Sequence, residues 1–191
     1  MARDPLFLLI RQLRGAYSGE LAAGYAYRGH WRSVRDAGER EHIARIESEE
    51  WHHREIVGGM LRALGARPSK LREAIFWGIG RAIGLSCHLG GWFIPMYGAG
   101  RLERGNIVEY EVAAEYAHAC GHDEMIDDLL EMAEVEWEHE RYFRERVAGH
   151  RLLRILMPWP AVAPKESIRA KWSATPASPE PASRARASAA R

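Results

Sequence analysis

Two cysteines, Cys87 and Cys120, are all that the 191-residue chain contains, and they form no CxxC pair. That spacing excludes a thiolate zinc site or a rubredoxin-type iron site, and such sparse cysteine suits a reducing, cytoplasmic setting. An excess of one charge is also missing. Twenty-seven Lys and Arg stand against 26 Asp and Glu, for a net charge of +1, so no general electrostatic pull toward nucleic acid is expected. The chain shows almost none of the apolar–polar alternation that marks strands. Its opening apolar run, Leu6 to Ile10, is cut off by Arg11 and Arg14 and is too short for an export signal.

What remains is helical periodicity, punctuated by glycine and proline. A first block runs from Leu6 to Val34, with Leu6, Leu9, Leu13, Ala16, Glu20, Ala23, Tyr27, His30 and Val34 on one seam. That 3,4 alternation describes a bundle helix and turns Glu20 inward. A second block, to about Leu64, has the seam Ile43, Ile46, Glu50, His53, Val57, Met60 and Leu64. The third seam reads Leu102, Gly105, Glu109, Val112, Tyr116 and Ala119, and the fourth Leu129, Met132, Glu136, His139, Phe143 and Val147.

Between the second and third seams, Leu71 to Gly100 is rich in Ile, Trp, Phe and Gly. Its charge, seven glycines and Pro95 argue against a clean membrane span. It is read as a long apolar crossover helix returning the chain along the bundle, with Trp77, Trp92 and Tyr97 at headgroup depth if its outer face touches lipid. The bundle is expected to occupy 1–160. Residues 161–191, rich in Ala, Ser, Pro and Arg, are expected to form a disordered basic tail.

Five Glu-x-x-His pairs occur: Glu39/His42, Glu49/His52, Glu50/His53, Glu115/His118 and Glu136/His139. A carboxylate three residues before an imidazole shares its helix face and can serve a metal ion. Only Glu50/His53 and Glu136/His139 lie on their seams, so Glu49 and His52 are set aside. Glu20 precedes Tyr27 by seven, and Glu109 precedes Tyr116 by seven, each followed by a seam Glu-x-x-His. This internal repeat predicts six metal ligands at one height: Glu20, Glu50, His53, Glu109, Glu136 and His139. Four ionised carboxylates in an apolar core would each cost several kcal/mol, against a typical total stability of about 5–15 kcal/mol. Two divalent cations resolve the conflict. Oxygen ligands with one imidazole per metal suit iron or manganese better than a structural zinc, which would favour thiolate and imidazole.

With these residues in place, the sequence resembles the ferritin-like di-iron carboxylate superfamily, and within it the demethoxyubiquinone hydroxylase family, over roughly residues 6–148. The narrower likeness rests on Arg14-Gly-Ala-Tyr17-Ser-Gly19-Glu20, similar to that family's Arg-x-Asn-His-x-Gly-Glu. It rests also on the Gly-rich apolar crossover, on Glu109 with Tyr116, and on Glu136-Trp-Glu138-His139. Tyr17 stands where the family usually has His. The resemblance implies an all-α, ferritin-like four-helix bundle. It implies an iron-dependent monooxygenase that uses dioxygen to hydroxylate a lipophilic quinone precursor, peripheral on the inner face of the cell membrane, with Glu50 and Glu136 as bridging ligands. An iron-handling protein, such as a ferroxidase or peroxide scavenger, is the rival reading. A metal-free bundle binding a partner is a third. The electron donor and any homo-oligomer are left open.

Overall fold

The computed structural model describes residues 4–173. Helix α1 (Pro5–Ser33) starts where the Asp4 side chain accepts a hydrogen bond from Leu6 N, with Pro5 in the first turn, a position that wastes no backbone donor. Asp36 caps α2 (Ala37–Ala63) by accepting from Glu39 N at 2.9 Å. Helix α3 (Lys70–Ser86) is capped by Ser69, and α4 (Phe93–Ala119) ends at Gly121, whose φ of 78° permits the left-handed turn. A 3-10 turn (Asp123–Met125) leads into α5 (Ile126–Val147). Two short helices follow, α6 (Leu153–Leu156) and α7 (Glu166–Ser173).

Helix α1 packs against α2, α4 against α5, and α1 against α4. This is an all-α, ferritin-like bundle, with no strand among the described residues. The apolar core forms two clusters. One gathers Leu9 and Leu13 of α1, Val57 and Leu61 of α2, Ile107 to Ala117 of α4, and Leu129 to Ala133 of α5. The other gathers Tyr27, Ile43, Ile46, Met96, Phe143 and Val147. Glu20, Glu50, His53, Glu103, Glu136 and His139, all buried, fall between the two on every one of the four helices. The core is an apolar–polar–apolar stack.

Three expectations are corrected here. The segment 71–100 is not one long crossover helix: α3 stops at Ser86, a turn intervenes, and Phe93 to Gly100 already belong to α4. The glycines that break its apolar run serve close packing instead. A Cβ at Gly80 would collide with the Ala22 backbone of α1, and one at Gly29 with the backbone of Gly84, so α3 lies directly on α1. Tyr97 is buried, its hydroxyl donating to the Leu156 and Met157 carbonyls, while Trp77 and Trp92 are exposed. The expected tail does not begin at 161. Ile168 of α7 is buried in the first cluster, and Arg169 pairs with Asp127 and Glu134 on α5. The rest of that expected tail, 174–191, lies outside the described residues. Among the described residues no helix is long and apolar enough to cross a membrane.

Two measurements test this packing. Gly80→Ala should lower stability by about 1–3 kcal/mol through overpacking, whereas Gly78→Ala, with no neighbour within 4 Å, should be neutral or raise it by up to about 1 kcal/mol. Burial holds the His30 imidazole down at about 4, so below pH 6.5 the unfolded chain takes up a proton that the folded chain refuses. Stability present above pH 6.5 is therefore lost as pH falls toward 4, by an amount on the order of 3 kcal/mol. Urea midpoints at pH 7 and 4.5 should fall further for the wild type than for His30→Phe.

Candidate metal centre

Each of the four bundle helices brings a carboxylate to the polar layer, and α2 and α5 add an imidazole one turn further on, at the i+3 position that shares a face. Glu20, Glu50, His53 and Glu136 form one group, and Glu50, Glu103, Glu136 and His139 another, with the donor atoms of each group within 4.8 Å of one another. Glu50 and Glu136 belong to both. His53 Nδ1 lies 3.1 Å from Glu136 Oε1, and His139 Nδ1 lies 3.4 Å from Glu50 and 3.5 Å from Glu136.

Of the six expected ligands, the fold brings five together and leaves Glu109 outside. Glu109 is exposed, while Glu103 is 1% exposed and stands in the second group. The expected third seam lies on the outer face of α4. Its buried line runs through Met96, Glu103, Ile107, Tyr110, Ala114 and Ala117, while Leu102 and Val108 are exposed. Six residues amount to about 240° of rotation beyond a full turn, so Glu103 and Glu109 cannot both face the core. Glu103 reaches the height of Glu136 because the 3-10 turn (Asp123–Met125) lengthens the α5 side of the α4–α5 connection, so residues level with each other are not equidistant from Gly121.

One signal in the sequence did identify Glu103. It too precedes a tyrosine by seven, Tyr110, so α4 carries two copies of the spacing seen in Glu20 and Tyr27. The true repeat is reciprocal. The Tyr27 hydroxyl donates to Glu103, and the Tyr110 hydroxyl donates to Glu20, each tyrosine reaching across the α1–α4 interface to the other helix's carboxylate. Tyr116 is half-buried against the first apolar cluster and has no part in the site. Asn106 adds a bond to Glu103 Oε2 at 2.8 Å. Tyr17, at the expected family histidine, lies under the Arg54 guanidinium, 3.6 Å from its ring centre.

Glu49 also needs correction. Set aside as surface, it places Oε2 2.7 Å from His139 Nε2. That contact fixes the ring and leaves Nδ1 facing the carboxylates, as outer carboxylates do for metal-binding histidines. Glu140, by contrast, is fully buried but committed to Arg144 and to Trp159 Nε1 at 2.6 Å.

Electrostatically the layer is unfinished. Burial first, then the Glu50 carboxylate, pushes the Glu20 carboxyl well above its usual range; burial and Glu136 do the same to Glu103. Burial opposes ionisation of Glu136 as well, but the adjacent His139 and His53 imidazoles outweigh it and hold this carboxyl well below the usual range. Glu20 Oε2, both Glu50 oxygens and His139 Nδ1 are buried without a hydrogen-bond partner. Orphaned acceptors in a core are costly, and their convergence on one layer fits cations held among them. The donor set, oxygen-rich with one imidazole in each group, suits hard or borderline divalent metals such as iron and manganese.

Metal analysis of single variants separates the two α4 carboxylates. Glu103→Ala should lose at least one of two bound metals per chain, and Glu109→Ala should keep both. Glu49→Ala should retain the fold with metal affinity weakened about 10–100-fold.

Comparison with known proteins agrees with this architecture. Residues 8–104, half of the chain, match the family model described as ubiquinone biosynthesis protein COQ7, a stretch that includes Glu20, Glu50, His53 and Glu103. The chain is 36% identical over 75 residues to the 3-demethoxyubiquinol 3-hydroxylases of Francisella tularensis subsp. novicida, subsp. tularensis and subsp. holarctica. That stretch covers 38% of this chain and 36% of each relative, so the chain spans about a third of the length of the curated relatives it matches. No solved structure matches. The family match over half of the chain, on a helical bundle with a buried Glu/His layer, places this protein in the ubiquinone biosynthesis protein COQ7 family.

Proposed function

We propose that the protein is a non-haem di-iron monooxygenase that hydroxylates the ring of a lipophilic quinone precursor. Glu20, Glu50, His53 and Glu136 would hold one iron, and Glu50, Glu103, Glu136 and His139 the other, with Glu50 and Glu136 shared. Two irons, when bound, supply the activation of dioxygen. The chain's own residues do the rest: the apolar clusters above and below keep water from the layer, Tyr27 and Tyr110 hold Glu103 and Glu20 in place, and Glu49 orients His139.

The observation that carries this reading is a cavity of 570 Å³ between α1, α3 and α4, with Glu20 and Glu103 in its wall. Its volume falls within the usual range for small-molecule sites. Ile79, Ile83, Ile94 and Leu102 line it and are also exposed, so an apolar substrate has a greasy route from the surface to the carboxylates. Leu71, Ile75 and Trp77 of α3, with Leu89 and Trp92 in the turn that follows it, are also exposed, an apolar surface suited to peripheral contact with the membrane interface. The hydroxylase name of the relatives supports the same substrate class. A ferroxidase or peroxide scavenger would use the same ligands but has no need of an apolar chamber beside them.

Anaerobic purification with metal counting should give two irons per chain. On reduction with dithionite and addition of oxygen, a methoxybenzoquinol precursor should stimulate oxygen uptake and appear as its hydroxylated product. Rapid loss of peroxide with no hydroxylated product would sink the hydroxylase reading in favour of iron handling.

A further inference from the structure

Outside the metal layer, one polar group in the cavity wall is both deeply buried and left without a partner. His30 lies on α1 three residues beyond Tyr27, is 2% exposed, and lines the chamber whose wall includes Glu20 and Glu103. Its ring is stacked with Tyr27, 6.2 Å away at 17°, and with Phe143, 5.8 Å away at 18°. Tyr27 and Phe143 stack on each other at 5.9 Å. Three mutually packed rings from α1 and α5 fix the imidazole without help from any hydrogen bond to Nε2, which is buried and unpartnered.

Such an atom is hard to explain as packing. A buried nitrogen left without a partner costs about 1–3 kcal/mol, and an apolar ring of similar shape would avoid that cost. Among the other polar groups of the cavity, Ser86 Oγ donates to the Ile83 carbonyl at 2.7 Å, Asn106 donates to Glu103, burial pushes the Cys87 thiol up to about 11, and Arg72 and Glu109 are more open to solvent than His30. Desolvation keeps His30 neutral down to about pH 4, so at neutral pH it offers one N–H donor and one nitrogen acceptor, the complement of a phenolic hydroxyl or quinone carbonyl. Its position suits that role. Tyr27 spans from the His30 ring to the Glu103 carboxylate, so His30 stands about one aromatic ring further from the metal layer.

We propose that His30 anchors the substrate ring, hydrogen-bonding a ring oxygen and so setting which ring carbon faces Glu20 and Glu103. The inference rests on the hydroxylase reading and adds to it the residue that governs ring orientation.

The test uses the iron-loaded full chain, with a methoxybenzoquinol carrying a short prenyl tail as probe. His30→Phe retains the stack and removes the nitrogens, while His30→Gln restores a donor and an acceptor. For His30→Phe the expected result is wild-type iron content, an equal or higher Tm at pH 7, KM and Kd raised about tenfold, and a mixture of ring-hydroxylated products. His30→Gln should recover most of the affinity and the single product. Unchanged Kd and a single product in His30→Phe would overturn the proposal, as would loss of Tm or iron in both variants, which would make His30 a structural residue. Wild-type protein that binds the quinol without hydroxylating it would remove the hydroxylase reading and leave the anchor to be judged on Kd alone. Absence of quinol binding by the wild type would remove both.

Discussion

Burying four carboxylates at one level of a helical bundle is the constraint on which the rest of this molecule depends. Glu20, Glu50, Glu103 and Glu136 are each no more than 3% exposed, and no lysine or arginine is among the buried residues of that layer. Helix packing alone could not sustain such a layer, because like charges out of water repel while losing their hydration. Two imidazoles, two tyrosine hydroxyls and one asparagine take up part of the load. Four donor atoms remain without partners. That unmet demand makes the layer a candidate cation site, and apolar clusters lie on either side of it.

The layer has an approximate twofold character built from α1–α2 and α4–α5. Glu20 with Tyr27 corresponds to Glu103 with Tyr110, and Glu50 with His53 to Glu136 with His139. The tyrosines cross between the halves, so the two antiparallel pairs are tied together at the height of the carboxylates. Departures from symmetry are where the sides differ in purpose. Glu49 supports His139, whereas no corresponding carboxylate follows from the repeat on the His53 side, since Val135 occupies that place. Asn106 donates to Glu103 and to Glu136 where the repeat puts Ala23 on α1, and His30 has Ala113 as its counterpart. Helix α3 lies along α1 and walls the chamber together with α1 and α4, so the chamber is on one side of the layer.

How well the sequence could be read varied by helix, for a physical reason. In α1, α2 and α5 the 3,4 spacing of apolar residues coincides with the buried face, and Glu20, Glu50, His53, Glu136 and His139 fall on it. Helix α4 carries apolar residues on its outer face as well: Leu102 and Val108 are 60% and 50% exposed. With both faces apolar, periodicity cannot say which is inward, and a second Glu-x6-Tyr match offered a plausible wrong answer in Glu109. Segment 71–100 misled in a similar way. Its composition announces apolar surroundings but cannot show that the chain turns at 87–92 and that the glycines of α3 are there to meet α1.

The sequence by itself determined the helical class, the four-helix repeat and five of the carboxylates and imidazoles of the buried layer, because helix periodicity and charge burial are local or additive properties of the residues. Only the tertiary structure decided that Glu103 rather than Glu109 completes the layer, that Glu49 reaches His139, and that α7 packs on the bundle. Each of those depends on the rotation of one helix about its axis relative to its neighbours, a quantity fixed by side-chain packing across the interface and not by spacing along the chain.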